Sequence, residues 1–391
     1  MKSSLNTIAR RMSYSQYYTR KEISDYICQL VDPRHHVESV IDLGVGEGSL
    51  LKSLKNKYSN LVTIGVDIDN VNVDKLRDQN IFNAVHCLDS TKPETTSKII
   101  SQHGKFDLVV GNPPYSKIDF QEIYQEQFKE LSLYQNSNLS KINTDIIFLL
   151  NGLSLLKKDG VLIYILPDSF ASNNFYKQIR EYIWNNYNVR ALIEVPERSF
   201  LATEAKTHIL VVSRGKSSDY IEVSKLNCDK YIKLSKAQFS ERCDFSYHNK
   251  PFPINSTKLK SLNLKLIRGN RSKSFLLENN VNFIHTTCFK SFPSVIKNET
   301  TELSGAVYAV KGDILIARVG SRVVGKYVLV ESKKIYVSDC VIIIRCLDEK
   351  TRKKVISSLA TDFIKNWISS IRKGVGAKHI TIKDLHELPI Y

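Results

Sequence analysis

The chain has 391 residues, 42% apolar and 25% charged, with a formal net charge of +16, a composition ordinary for a soluble globular protein and a length sufficient for two domains. No apolar run approaches the roughly eighteen residues of a membrane span, and the first residues lack a charged-then-apolar leader, so no membrane association and a cytoplasmic location are expected. Seven cysteines (28, 87, 228, 243, 288, 340, 346), odd in number and without a C-x-x-C pair, exclude a disulfide framework, indicate no metal site, and read as reduced, mostly buried thiols.

Near the start stands Tyr18-Thr19-Arg20. The first strong strand signal is Val40-Ile41-Asp42-Leu43, which breaks into Gly44-Val45-Gly46-Glu47-Gly48 and then the amphipathic run Leu50 to Leu54. Glycines at 44, 46 and 48 let the backbone approach a ligand at the first strand-to-helix turn. The dinucleotide fingerprint G-x-G-x-x-G is not met, because position 49 is Ser. Asp42 beside the turn would repel a pyrophosphate but suits the ammonium of an amino acid, such as that of S-adenosylmethionine.

A second strand, Val62 to Asp67, ends in an acid about twenty residues on, where nucleoside-binding α/β folds grip a ribose diol. Asp67 is therefore the expected ribose ligand, with Ile68 beside it. A third strand ends at His86-Cys87-Leu88-Asp89, and Asp89 could accept from the amino group of an adenine. Any one such acid is equally well a helix cap or turn former. Three in register at successive strand ends argue for one ligand.

The fourth strand, Phe106 to Gly111, runs into Asn112-Pro113-Pro114-Tyr115. This places an amide, a rigid turn and an aromatic ring at the carboxyl end of a buried strand, where open α/β sheets put their sites. The arrangement suits chemistry on a planar exocyclic amine. The N6 lone pair of adenine is delocalised into the ring. Hydrogen bonds from the NH2 to the Asn112 side-chain oxygen and the Pro113 carbonyl would turn that lone pair out of plane, and would strengthen as charge develops. Proline at 113 and 114 fixes φ, and Tyr115 offers a flat face for stacking. The plainer reading is a good turn followed by a packing tyrosine.

Between Tyr115 and Asp145 the sequence is polar and irregular around a helical Gln121 to Leu133, and reads as a mobile flap or a surface loop. Then come Asp145-Ile146-Ile147-Phe148-Leu149, a helix ending at Lys157-Lys158-Asp159-Gly160, a strand from Val161 to Leu166, Pro167, and a strand from Thr207 to Ser213.

Taken in order, Thr19, the Asp42 glycine turn, Asp67, Asp89 and Asn112-Pro-Pro-Tyr115 resemble the gamma-class N6-adenine DNA methyltransferases, the N-6 DNA methylase family. The resemblance covers about the first 215 residues. It implies an α/β fold with a Rossmann-like, seven-stranded mixed sheet, S-adenosyl-L-methionine as cofactor, and a nucleoid-associated prokaryotic protein acting on duplex DNA. It implies that Thr19 and Phe148 line the cofactor pocket with Asp42, Gly44, Gly46, Asp67, Ile68, Asp89 and Asn112. It places Phe200 as a second aromatic against the flipped base, opposite Tyr115. Two positions depart from the family: Arg20 stands where Pro is usual, and Ser90 where an aromatic is common.

A polar linker at Arg214-Gly215-Lys216-Ser217-Ser218-Asp219 suggests a catalytic domain over 1–215 and a second domain over 216–391. Up to residue 215 there are 25 Lys+Arg against 24 Asp+Glu; beyond it there are 31 against 16. The excess positive charge thus belongs to the second half, as expected if that half meets phosphates; surface lysine richness by composition bias is the plainer account. Short strands are expected at Ala306 to Val310, Ile314 to Arg318, Tyr327 to Val330 and Val341 to Arg345, and a helix from about Lys350 to Lys373. Asp348-Glu349-Lys350 reads as a helix start rather than as part of a nuclease site. Lys311 to Gly320, Gly325-Lys326, Ser338-Asp339 and Leu385 to Ile390 resemble the target-recognition domains of type I restriction specificity subunits. By that resemblance a smaller α+β domain places Arg318, Ser321, Arg322 and Lys326 near DNA.

The expected activity is site-specific methylation of the adenine amine in a short duplex sequence, as the modification enzyme of a restriction-modification system whose nuclease would be a separate polypeptide. Alternatives are methylation of RNA bases or of protein glutamine, cytosine-N4 methylation of DNA, and a non-catalytic specificity module.

Overall fold

The computed structural model describes residues 19–31, 36–134, 139–197, 199, 206–289, 295–296, 302–374 and 377–391. It divides into two compact units between Phe245 and Ser246.

The first unit is built on β1 (Ser39–Asp42), β2 (Val62–Asp67), β3 (Ala84–Cys87), β4 (Phe106–Gly111), a small β5 (Lys117–Asp119) and β6 (Lys141–Asn143) hairpin, β7 (Leu156–Pro167), β8 (Tyr187–Val195), β9 (Thr207–Arg214), β10 (Tyr220–Lys225) and β11 (Tyr231–Ser235). Nine of these form one sheet in the order β11-β10-β8-β9-β7-β4-β1-β2-β3. β3, β2, β1, β4 and β7 are parallel neighbours, while β9 runs antiparallel to both β7 and β8. The chain winds outward from β1 toward β3 and, in the other direction, from β4 toward β7. The order therefore reverses between β1 and β4, and a crevice opens at their carboxyl ends.

The central strands are near-continuous apolar runs because both faces are covered. On β4, Val109 packs with Ile41, Ile147 and Leu162 on one face, and Leu108 and Val110 join Val40 and Ile163 on the other. The α-helix Thr144–Ser154 is apolar nearly all round, and ten of its eleven residues are buried.

The seven-stranded mixed sheet that the resemblance implies is present, and β10 and β11 extend it to nine. The expected boundary at residue 215 is accordingly corrected. β10 pairs parallel with β8 and β11 antiparallel with β10, so the polar stretch after Arg214 is a connection within the sheet, not a link between domains. The segment expected as a flap or loose loop is also packed where described. The helix Glu122–Glu130 buries Tyr124 and Phe128, and Phe128 stacks on Phe120. The helix expected to reach Gly160 ends at Ser154, where β7 already begins at Leu156. Of the free cysteines, Cys28 and Cys243 are buried, Cys87 and Cys288 exposed, and three lie between, so the thiols are not mostly buried.

The second unit carries a five-stranded sheet in the order Leu264–Arg268, Val341–Cys346, Ile314–Ala317, Tyr327–Val330 and Val295–Ile296. Side chains alternate across it as period two requires. Ile314, Ile316, Ile342 and Ile344 face Ile364, Trp367, Ile368 and Ile371 of the helix Asp362–Ile371; Leu315, Val328 and Ile343 face Ile284, Phe289 and Val337. The helix expected from 350 to 373 is two, Glu349–Ala360 and Asp362–Ile371, broken at Thr361, whose side chain caps the second by accepting from the Ile364 N–H. Asp348 caps the first. Counted from 246, this unit has 25 Lys+Arg against 11 Asp+Glu, so the charge asymmetry survives the moved boundary.

Candidate active site

A cavity of about 260 Å³ lies at the carboxyl ends of β1, β2, β3 and β4. Thr19, Asp42, Gly44, Gly46, Asp67, Ile68, Asp89, Asn112 and Phe148, the nine residues singled out for a cofactor, all line it. Pro114, Ser90, Ser116 and Thr144 line it as well.

The glycine turn is held from both sides. Val45 donates its N–H to the Val66 carbonyl at 2.9 Å, and the Gly46 N–H donates to Asp67 Oδ2 at 2.7 Å. Gly48 sits at φ 79°, and a Cβ there would meet the Phe82 ring at 2.9 Å, so only glycine fits. A Cβ at Gly44 would meet Phe148 Cε1 at 3.3 Å; the missing methyl keeps that wall of the cavity open.

Asp42 is 2% exposed and accepts from the Gly44 N–H at 3.0 Å. Burial pushes its carboxyl up to about 7, with the nearby Asp67 adding to the rise. Burial also raises Asp67, against the pull of N–H donors from Asp69 and Gly46. Two buried carboxyls at one cavity are costly alone and favour a cationic ligand. Asp89 accepts from the Thr91 N–H at 2.9 Å and from its hydroxyl at 2.6 Å. Both Asp67 and Asp89 thus also serve the turns that follow them, as the plainer reading had it. Ser90, at the position of a common aromatic, is buried and donates its hydroxyl to the Leu43 carbonyl at 2.6 Å, tying the loop after β3 to the loop after β1.

Asn112 leaves β4 facing the cavity. Its Nδ2 donates to Thr19 Oγ1 at 3.3 Å, and its Oδ1 accepts from the Tyr115 hydroxyl at 2.8 Å. The Thr144 hydroxyl, in the first turn of its helix, donates to the Pro114 carbonyl at 2.5 Å and accepts from the Ser116 N–H at 3.2 Å. Nothing in the local sequence marks Thr144; it is brought to the turn by the β5–β6 hairpin. Phe200 lies outside the described residues.

A second buried constellation stands at the ends of β7, β8 and β9. The Lys206 ammonium is 2.9 Å from Asp168, 3.3 Å from Asp244 and 3.6 Å from Glu194, all three acids being essentially inaccessible. Arg242 pairs with Asp244, whose carboxyl is held far below the usual range by Arg242 and Lys206 despite its burial. These residues are far apart in sequence and no motif announces them.

In the second unit Arg318 directs Nε to the Asp339 carbonyl at 3.0 Å, and Arg268 does the same from the end of the strand on the other side of Val341–Cys346. Ser321 and Arg322 are exposed on the turn between Gly320 and Gly325, and Lys326 is half-buried. Arg268 was not singled out from sequence, since the strand bearing it lies some fifty residues away from Arg318.

Residues 4–243 match the family model described as N-6 DNA Methylase. Among curated relatives, the chain is 24% identical over 228 residues to the type II methyltransferase M.HincII of Haemophilus influenzae, covering 58% of this chain and 42% of that protein. It is 26% identical to the type I restriction enzyme MpnII methylase subunit of Mycoplasma pneumoniae, covering 52% and 41%. The chain thus spans about two-fifths of the length of these relatives. Among solved structures, the type IIG restriction endonuclease BpuSI superposes with a TM-score of 0.51 at 14% identity, over 95% of this chain and 58% of that one. That likeness is one of fold.

Proposed function

The chain belongs to the N-6 DNA methylase family, and from that premise we propose that it transfers a methyl group from S-adenosyl-L-methionine to the N6 amine of an adenine in a short duplex DNA sequence. The observation that carries this reading is the meeting, in one cavity, of Asn112 and Pro114 with the glycine turn and three strand-end acids, Asn112 being hydrogen-bonded to the Tyr115 hydroxyl.

The cavity suits this cofactor. The raised, buried Asp42 carboxyl would be met by the cofactor's ammonium, Asp67 by the ribose diol, and Asp89 by the adenine amino group, with Ile68 and Phe148 along the ring. When bound, the cofactor supplies an electrophilic methyl on sulfonium. Asn112 Oδ1 and the Pro113 carbonyl hold the target amine by accepting its two N–H groups, and Tyr115 stacks on the base. Thr19 and Tyr115 fix the Asn112 amide so that its oxygen is oriented before substrate arrives. A base inside the duplex is out of reach, so it must be extruded at a cost of a few kcal/mol. No general base is required, because the amine's proton becomes acidic once the new C–N bond forms.

The second unit, with its 25 Lys+Arg against 11 Asp+Glu, is the proposed DNA target-recognition domain, with Arg318, Ser321, Arg322 and Lys326 near the duplex. A modification role in a restriction-modification system, beside a separate restriction endonuclease, completes the reading. Incubation with tritiated cofactor and plasmid DNA, bulk RNA or release factor tests it. Label recovered in DNA as N6-methyladenine supports it; label only in RNA or protein overturns it.

A further inference from the structure

In the second unit two arginines far apart in sequence are fastened to one backbone oxygen. The strands Leu264–Arg268 and Ile314–Ala317 flank Val341–Cys346 and run antiparallel to it, so their carboxyl ends lie on either side of its amino end. Arg268 closes one flank, Arg318 follows the other, and both donate Nε to the Asp339 carbonyl at 3.0 Å. We propose, on the reading that the second unit meets DNA, that this pair selects guanine in the target duplex by binding its major-groove edge.

The oxygen that holds the two side chains is itself held. Asp339 donates its N–H to the Arg271 carbonyl at 2.8 Å, and on either side of it Gly269 donates to the Val341 carbonyl at 3.1 Å and Arg318 to the Cys340 carbonyl at 2.8 Å. A Cβ at Gly269 would meet the Ser338 carbonyl oxygen at 2.1 Å, so this close approach of the two chains admits only glycine. Each guanidinium is thereby fixed at Nε and keeps its two Nη groups as a planar fork. Those of Arg318 have no hydrogen-bond partner among the described residues and are not sealed from solvent. The Arg268 side chain is 48% exposed, and its Nη2 stands 3.9 Å from Asp339 Oδ2.

Phosphate is met well enough by a mobile point charge, as a lysine provides, and gains little from such fixing. Guanine presents O6 and N7 side by side in one plane, which a fork of set orientation matches with two hydrogen bonds. A side chain ordered before binding loses less freedom on contact, and its geometry discriminates against bases that lack the acceptor pair. The pairing also sets two like charges beside a single carboxylate. Burial and then the neighbouring Arg268 disfavour the charged form of Arg318, and acceptors laid on the fork would relieve both.

The full chain, its Arg268→Gln and its Arg318→Gln are each given a plasmid library with randomised bases around the target adenine, and single-molecule sequencing reads which sites are methylated. The parent should require guanine at one position or more, and each substitution should relax that requirement at one position by about five- to hundredfold while leaving the others intact. A measurement on the parent alone stands apart from the folding of the variants: 7-deazaguanine, which lacks N7, should slow methylation about fivefold or more at a recognised position. A parent consensus without guanine, indifference to 7-deazaguanine, or a consensus kept by both variants overturns the proposal. So does a loss uniform across sequences with the slope of log K on log salt reduced by about one, the mark of a phosphate contact. A parent that methylates no DNA overturns the DNA reading and the arginine pair together, whereas an unaltered consensus in both variants overturns the pair alone.

Discussion

The Tyr115 hydroxyl donates to Oδ1 of Asn112 at 2.8 Å, so the two polar ends of the Asn112-Pro113-Pro114-Tyr115 turn are joined to each other. The same hydroxyl lies 3.4 Å from the Ile165 carbonyl on β7. An amide oxygen has two lone pairs, so Asn112 can accept from Tyr115 and from a target amine together. Tyr115 therefore has two separable duties, orienting the amide through its hydroxyl and stacking through its ring.

Tyr115→Phe keeps the ring and loses the hydroxyl; turnover should fall by about three- to tenfold, the worth of one ordinary hydrogen bond. Tyr115→Ala should lose a further ten- to hundredfold, roughly the value of one base–aromatic stack. A fluorescent base analogue at the target position reads base capture directly, and equal capture by Tyr115→Ala and the parent would contradict the stacking role.

Thr144 is the residue most easily overlooked at the site. Thr144→Val removes the hydroxyl that binds the Pro114 carbonyl and the Ser116 N–H, leaving both unmatched at about 1–3 kcal/mol. Turnover should drop about tenfold or more while cofactor affinity stays nearly constant, and Thr144→Ser should restore it. Parallel loss of turnover and cofactor affinity would show that Thr144 merely shapes the cavity.

The raised Asp42 carboxyl gives a pH dependence of defined sign. It titrates near 7 in the folded chain against 3.8 in the ordinary state. Between those values the folded chain keeps a proton that the unfolded chain has lost, so stability falls as pH rises from about 4 to 7 and then levels. Asp145, also raised to about 7 by burial, acts in the same direction. An ammonium bound at Asp42 would lower its pKa. Cofactor binding at pH 6 should therefore release a proton, and affinity should rise toward pH 8. Calorimetry in buffers of different ionisation heat measures this; Asp42→Asn should abolish the proton release, weaken binding and stabilise the ligand-free chain at pH 8. Proton-neutral binding by the parent would rule out the assignment.

A fragment ending at Phe245 should fold and bind cofactor, whereas one ending at Gly215 should not. The shorter fragment loses β10, β11, Arg242 and Asp244, exposing the edge of β8 and removing one of the three carboxylates around the buried Lys206; opening such a buried cluster costs about 3–5 kcal/mol. Cooperative thermal unfolding distinguishes the two, and a stable 1–215 fragment would restore the boundary read from the sequence.

These cases mark what the sequence made legible. β2 runs from Val62 to Asp67 and Tyr327–Val330 is a strand, just as their apolar patterning indicates, because local propensity and burial agree there. Asp42, Asp67, Asp89 and Asn112 are legible because each stands at or just after a strand end, whereas Thr19 and Phe148 are named only through the family resemblance. β10 and β11 were misplaced because Gly215 and its polar neighbours carry the same turn chemistry whether they join domains or strands. Thr144 and the Asp168, Glu194, Lys206 and Asp244 cluster had no local signal at all. They are assembled by sheet register, which single-residue patterns do not encode.

The central claim is that the Asn112 carboxamide acts on the target amine rather than on the cofactor, although it lines the cofactor's proposed cavity. Methyl transfer to plasmid DNA and cofactor affinity measured side by side for Asn112→Ala test it most directly. Transfer should fall by roughly a hundredfold or more, as for loss of one preorganised polar group at a reacting centre, with the cofactor Kd within about tenfold of the parent. Unchanged turnover, or a loss of turnover fully matched by a loss of cofactor affinity, would contradict it.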